Sequence, residues 1–562
     1  MNNVQEQGNI FDTPSIWKIL LKIAPPVMLA QLIQAMYNIV DSYFVGKYSG
    51  DGLSALAVIY PVQLIITAIA VGTGVGVNTK MSQDYAKGRN LKANRTAGTG
   101  LILAVLSWAV FSAVSTLIMK PYIKMSVTSP LAVEYAMTYG KIVCFGSLGI
   151  FLESTWSKVH QARGNMKLPM IAQVAGALTN IVLDPILIFG TGSIPAMGIA
   201  GAAYATIAGQ FVAAAITASG IRMPPSPKLF PLYARKVYQL GFPNIFMQML
   251  FTVYIVALNV ILGSFADEAI TVLGLYYKVQ SFFFIPLYGL QTCIVPLLSY
   301  THAKQNFKRC REILNKVCLL SAAFMLAGVL CFEGIPRQLL AIFSQDAKVY
   351  EIGIPAFRII GLSFFPAVYS LTMPVFFQAI GKGKPSILLS LTRQVFCLIP
   401  LFWLFSRFSL TAAWAAFPVS ETITGTVGVI LLVRQIHLWK IEEKNRLAEN
   451  ERRKAVMKLI TAVISKKDSD SVCQALTEGG YYFTRMSSSG GFLRSGNTTI
   501  LIGTEEEKVK PAISIIRENC SRRTESISTP IAAATASPGG MSQVVVGGAT
   551  VFVTPVEEYE KM

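Results

Sequence analysis

Charged residues are scarce in this sequence: Asp, Glu, Lys and Arg make up only 14% of its 562 positions, against 53% hydrophobic residues. A soluble domain carries about a quarter charged residues, so a freely soluble globular chain of this length is excluded. Acids are scarcer than bases, 30 against 49, which leaves a formal charge of +19. No basic stretch is interleaved with aromatics in the manner of a nucleic-acid surface, so that charge is not read as nucleic-acid binding. Histidine occurs three times, at 160, 302 and 437, in or beside polar loops and without a recognisable catalytic partner; no hydrolase constellation is visible and no enzymatic role is expected. The eight cysteines show no CxxC or histidine-paired spacing and signal neither a metal site nor a disulfide framework. The N-terminal stretch lacks a small-residue cleavage site, and its first apolar run, residues 16 to 45, is too long for the core of a signal peptide.

Long apolar runs are what the sequence has in abundance. Stretches such as LILAVLSWAVFSAVSTLIM (101–119) and VCLLSAAFMLAGVLCF (317–332) approach or meet the roughly 20 residues that cross a bilayer as helix. Twelve such spans fit between residues 16 and 437, and an even number returns both ends to one side. Loops 80–95, 157–168, 219–236, 302–316 and 379–386 carry 19 Lys and Arg, whereas the alternate loops carry 6. The excess of positive charge on cytoplasmic loops therefore predicts that both termini are cytoplasmic.

The spans also repeat. Gln161, Ala162 and Gly164 in HQARGNMKLPM match Gln378, Ala379 and Gly381 in FQAIGKGKPSI, 217 positions later; Gly72, Ala86 and Lys87 match Gly289, Ala303 and Lys304 at the same spacing. Six spans per repeat is an even number, so the halves cross the membrane the same way round, with a cavity expected between them near the midplane. The fold class expected is an all-α polytopic membrane protein of twelve transmembrane helices in two parallel six-helix repeats, followed by a C-terminal α+β domain. The boundaries expected are 1–220 and 221–437 for the two lobes, 438–456 for a charged linker helix and 457–562 for the last domain.

Two acids fall inside apolar spans, Asp41 and Asp184, where a charge is costly enough that function is the default reading. Tyr37 lies four residues before Asp41 and Asn180 four before Asp184, so each pair shares a helix face. Thr206 reaches the same depth from the next span. This oxygen-only set suits either a hard cation or a proton held on a buried carboxylate; the alternative is that Asp41 caps a helix end and Asp184 precedes Pro185 as a cap. Pro25 and Pro26 mark a kink in the first span. Glu153 is expected to reach out from a span end as a structural residue, Glu421 is a further acid in the last span, and the second lobe lacks counterparts of the acidic pair.

APPVMLAQLIQAMYNIVDSYFVGKYSG (24–50), QARGNMKLPM and LTNIVLDPILIFG (178–190) resemble the multidrug and toxic compound extrusion (MATE) transporters over residues 1 to about 440. The resemblance implies a cation-coupled antiporter in the plasma membrane of a bacterium, moving an organic substrate outward against protons or sodium. It also implies a cation-coupling set of Tyr37, Asp41, Asn180, Asp184 and Thr206, with sodium, if used, held by Asp41, Asn180, Asp184 and Thr206. A flippase for lipid-linked precursors and a membrane-anchored receptor without transport are the rival readings.

From Leu438 onward the composition changes. KIEEKNRLAENERRKA (440–455) is a solvated helix, and a compact domain follows with strand patterns at KLITAVIS, YYFTRMS, TTILIGT and QVVVGGATVFVTPV in a βαββαβ, ferredoxin-like order. Thr504 and Glu507 suggest a capping box for its second helix. Between strands two and three runs SSSGGFLRSGNTT (487–499), whose glycines admit a ligand close to the backbone; a flexible hairpin is the alternative. MKLITAVISKKDSDS, TRMSSSGGFLRSGNTTILIG and VVVGGATVFVTPVEEY resemble the PII-like cyclic-di-AMP receptor proteins. That resemblance implies a homotrimer binding cyclic di-AMP through Thr484, Gly491, Phe492, Leu493, Asn497, Gly503 and Phe552, with no other cofactor. Gly480 and Tyr482 stand where the family usually has Asn and Arg.

Overall fold

The computed structural model describes residues 10–126, 129–192, 194–218, 225–343, 346–489, 496–527 and 542–557. Its contacts form two compact units, Met1–Arg434 and Gln435–Met562.

In the first unit the apolar runs all become helix. The first half holds α1 (Ile16–Tyr48), α2 (Gly50–Ala86), α3 (Asn90–Ser126), α4 (Pro130–Gly146), α5 (Leu148–Ala162), α6 (Lys167–Phe189) and α7 (Ile199–Thr217). The second holds α8 (Phe230–Leu262), α9 (Asp267–Ala303), α10 (Phe307–Gly334), α11 (Pro336–Ala341), α12 (Ala347–Gly361), α13 (Phe364–Ala379), α14 (Gly383–Leu391), a π-helical turn (Thr392–Leu398), α15 (Ile399–Ser406) and α16 (Leu410–Ala413). Helix α17 (Ala416–Val456) carries the chain out of this unit. Among the described residues ten helices are long and apolar enough to cross a membrane. Twelve spans result when two bent pairs, α4 with α5 and α12 with α13, count as one each. Serine ends several of them: the Ser49 hydroxyl accepts from Gly52 N at the start of α2, and Ser129 does the same for α4 just before Pro130, satisfying amides that the first helical turn leaves unpaired.

The internal repeat is visible in backbone geometry. Gly164 and Gly381, repeat partners, have φ of 79° and 81°. In each of these turns an amide bonds back to the same relative carbonyl, Asn165 N to His160 O and Lys382 N to Phe377 O. The other matched turn holds Gly88 at φ 67° in the first half and Gln305 at φ 58° in the second, which forces a side-chain-bearing residue into the left-handed region.

Pro25 and Pro26 lie inside α1, which is helical from Ile16 to Tyr48. The charged stretch 440–455 is helical as expected and continues α17 directly, because no glycine or proline interrupts its helix formers.

In the second unit β1 (Met457–Ser465), α18 (Ser469–Glu478), β2 (Thr484–Ser489), β3 (Gly496–Glu505), α19 (Glu506–Glu518), β4 (Arg522–Ile527), β5 (Ser542–Gly547) and β6 (Ala549–Pro555) follow in turn. The main sheet has the order β2-β3-β1-β6 and is antiparallel throughout. This is the ferredoxin-like arrangement with β6 as the fourth strand; β4 and β5 pair separately as a two-stranded sheet. Ile460, Ala462, Ile464, Ile500 and Ile502 pack with Val472, Leu476, Val509, Ala512 and Ile516 of the two helices, so one sheet face is closed and strict alternation fixes the register. The expected capping box does not form. Thr504 remains in β3 opposite Lys458, and α19 begins after Glu505 without a side-chain cap, since ladder bonding to β1 holds Thr504 in the strand.

Candidate functional site

Asp41 on α1 and Asp184 on α6 meet inside the first lobe, their carboxyls close enough to interact directly. Neither is a cap: Asp184 is fully buried, Asp41 nearly so, and α1 continues to Tyr48 and α6 to Phe189. Asn180, one turn before Asp184, bridges to α7. With its amide turned to satisfy both ends, Nδ2 donates to Asp184 Oδ2 at 3.1 Å and Oδ1 accepts from Thr206 N at 3.1 Å. Thr206 and Asn180 are buried, and the Thr206 hydroxyl stands near the phenols of Tyr37 and Tyr139. All five residues expected from the sequence therefore converge. Tyr139 on α4 and Gln63 on α2, whose Nε2 donates to the Tyr139 hydroxyl at 3.3 Å, complete the wall; a lone tyrosine and a lone glutamine in apolar spans carry no sequence signal.

Asp41 Oδ1 is buried without a hydrogen-bond partner. An orphaned carboxylate oxygen in a dry interior is costly unless a proton or cation joins it. Among the described residues no three or more His, Cys, Asp and Glu side chains cluster as a metal site, so a metal here would rest on two carboxylates plus neutral oxygens. That is a donor set for a hard monovalent cation, and it fits sodium as well as a proton.

The second lobe holds a different polar group. Arg393 lies in the π-helical turn and its Nη2 is 2.7 Å from Glu421 Oε1 on α17; Ser370 Oγ also donates to Glu421, and Ser420 Oγ donates to the Arg393 carbonyl at 2.7 Å. Glu421 is thus neutralised by a charge partner. Glu153 does not reach solvent as expected. It is buried on α5 and accepts from Ser157 Oγ at 2.6 Å, because its rotation about α5 places it among hydroxyls.

Between the lobes lies a cavity of about 380 Å³, lined by Asn78 of α2, Lys158 of α5, Gln248 of α8, Gln291 of α9 and Gln394 of the π turn, among others. Lys158, a loop charge in the sequence reading, is in fact part of α5 and faces this space. Beside the cavity α2 and α8 approach backbone to backbone: a Cβ on Gly76 would lie 2.1 Å from Val237 O, and one on Gly241 2.4 Å from Gly72 O.

In the second unit Thr484, Leu501, Thr461 and Phe552 are consecutive cross-strand partners and so share a face. Asn497 and Gly503, opposite Ser465 and Leu459, have the same parity as that row. Four of the expected nucleotide contacts, Thr484, Asn497, Gly503 and Phe552, therefore lie on the sheet face that the helices leave open. Phe552 is 56% exposed there, and a Cβ on Gly503 would touch nothing. Gly491, Phe492 and Leu493 lie outside the described residues. Gly480, at φ 75°, and the exposed Tyr482 precede β2.

Two six-helix repeats around a cavity, with a buried pair of acids in the first lobe, define a polytopic membrane transporter fold fused to a small α+β domain. The chain belongs to the MatE family, whose model matches residues 26–186 and 243–404. The model described as Cyclic-di-AMP receptor matches residues 457–562. The chain is similar to the Probable multidrug resistance protein NorM of Thermotoga maritima, 25% identical over 391 residues, covering 67% of this chain and 83% of that protein. It is similar to the Multidrug export protein MepA of Staphylococcus saprophyticus, 23% identical over 451 residues, covering 76% and 96%. A crystal structure of MATE in complex with MaL6 superposes with a TM-score of 0.72 at 20% identity, covering 77% of this chain and 98% of that one.

Proposed function

We propose that this chain is an antiporter that exports an organic solute against an inward flow of protons or sodium ions, at a rate set by cyclic di-AMP bound to residues 457–562. The observation that carries the reading is the buried meeting of Asp41 and Asp184 with the unpartnered Asp41 Oδ1. Two like charges in a low-dielectric interior repel strongly, and a bound ion or proton relieves that repulsion. Asp41, Asn180, Asp184 and Thr206 supply the oxygens for sodium; the carboxylates alone serve for a proton. Ion occupancy then favours a drawn-together arrangement of α1, α6 and α7, and release favours a looser one. Lobes 1–220 and 221–437 carry the cargo between them, and residues 438–456 lead to the sensor.

The basic loops 80–95 and 302–316 face the cytoplasm on this reading, and both termini lie on that side of the membrane. The open sheet face binds the nucleotide through Thr484, Asn497, Gly503 and Phe552, joined by Gly491, Phe492 and Leu493, in a homotrimer. The role is transport, and no residue is assigned a catalytic step. Asp41→Asn and Asp184→Asn are each expected to abolish gradient-driven export in vesicles while the protein still folds. Native export rates in either variant would remove the pair from the mechanism.

A further inference from the structure

The cavity between the lobes contains one charge, and it is positive. No aspartate or glutamate lines it, and among the described residues no carboxylate lies within ion-pair distance of Lys158 Nζ, which donates to Gln161 Oε1 at 3.0 Å. Glu153, five residues earlier on α5, is absent from the lining and is bonded to Ser157. Three buried amides in the wall have an atom without a partner: Asn78 Oδ1, Gln291 Nε2 and Gln394 Oε1. Buried polar atoms are almost always paired, so these three amides carry hydrogen-bonding capacity beside the cavity that the protein itself does not use. The remaining surface is largely apolar, with Phe251, Val75 and Met247 offering faces to a flat ring. The carboxylates of the first lobe lie elsewhere, and the acid of the second lobe is matched by Arg393.

We propose that this cavity selects an organic anion, a flat or apolar body bearing a carboxylate or phosphate, with Lys158 taking the charge and Gln291 donating from the opposite lobe. An organic cation would meet the Lys158 ammonium with no acid in the cavity wall to receive it. The proposal names the substrate class of the export reading above and rests on it, yet equilibrium binding tests it separately from flux.

The test uses the full chain in lipid nanodiscs and three fluorescent probes: FMN, riboflavin as its counterpart without phosphate, and ethidium as a cation. FMN is expected to bind at least about tenfold more tightly than riboflavin, the scale of one hydrogen bond to a charged group, and more tightly than ethidium. Lys158→Gln should bring FMN to the riboflavin value and leave riboflavin unchanged, and Lys158→Arg should retain most of the preference. Unchanged riboflavin binding shows that the variant is folded. The proposal is overturned by FMN binding no tighter than riboflavin, by a preference that survives Lys158→Gln, by ethidium binding tightest, or by no FMN binding up to about 1 mM. Anion preference without flux would defeat the transport reading alone; ethidium flux without anion preference would defeat only this one.

Discussion

Single residues in this chain carry costs that mutation can read out. Gln305 holds φ 58° where its repeat partner is Gly88, and a left-handed non-glycine residue costs roughly 1 kcal/mol. Gln305→Gly is therefore expected to raise the thermal midpoint of the detergent-solubilised protein by an amount equivalent to about 1 kcal/mol, and Gly381→Ala to lower it. Arg393 and Glu421 form a buried pair; removing one partner strands the other, at about 3–5 kcal/mol. Arg393→Met should thus destabilise far more than the double change with Glu421→Leu, as a double-mutant cycle in unfolding measurements would show. Asp12 is half-exposed and lies 2.6 Å from both Lys304 Nζ and the Tyr300 hydroxyl. Partial burial works against its charge, but these bonds and the nearby Lys304 and Arg309 cations outweigh it and hold the carboxyl below its ordinary 3.8. A depressed acid stabilises the fold above its unfolded value and loses that contribution as pH falls through the folded one. Protection of the amides at residues 10–13, taken relative to their intrinsic exchange at each pH, is accordingly expected to hold at neutral pH and to fall only below about pH 4.

Elements were legible wherever one signal dominated, and less so where two competed. The apolar runs were long enough that hydropathy placed the spans, and alternation alone placed β1, β3 and β6. The capping motif at Thr504 lost to strand pairing with Lys458, which no local pattern could rank. Nor could the sequence distinguish a linker from an extended α17, because helix propensity is continuous across the bilayer boundary. Asp41 and Asp184 were readable as a candidate pair because an acid in an apolar span is conspicuous. Tyr139, Gln63 and the cavity amides were not, since neutral polar residues in spans carry no cost that marks them out before packing is known. Where α2 meets α8, Gly76 and Gly241 permit backbone contact. Gly76→Ala should wedge these helices apart, and cysteine labelling at Asn78 is expected to become faster from the side bearing residues 86–90.

The whole molecule joins a two-lobed transporter fold to a receptor-type domain whose open sheet face carries four of the seven expected nucleotide contacts, Thr484, Asn497, Gly503 and Phe552. The repeat is visible in its turns, yet the polar interiors differ: the first lobe buries the Asp41–Asp184 pair without a basic partner among the described residues, whereas the second buries Glu421 against Arg393. A nucleotide can alter transport only by favouring one arrangement over another through a difference in affinity. The most direct test is the initial rate of gradient-driven flux in vesicles containing the full chain, with ethidium and FMN assayed side by side and cyclic di-AMP added on the side bearing residues 457–562. The account predicts a rate that changes saturably with nucleotide for the native chain and does not change for Asn497→Ala, which should still transport. A rate indifferent to cyclic di-AMP under conditions where calorimetry shows the nucleotide bound would contradict it.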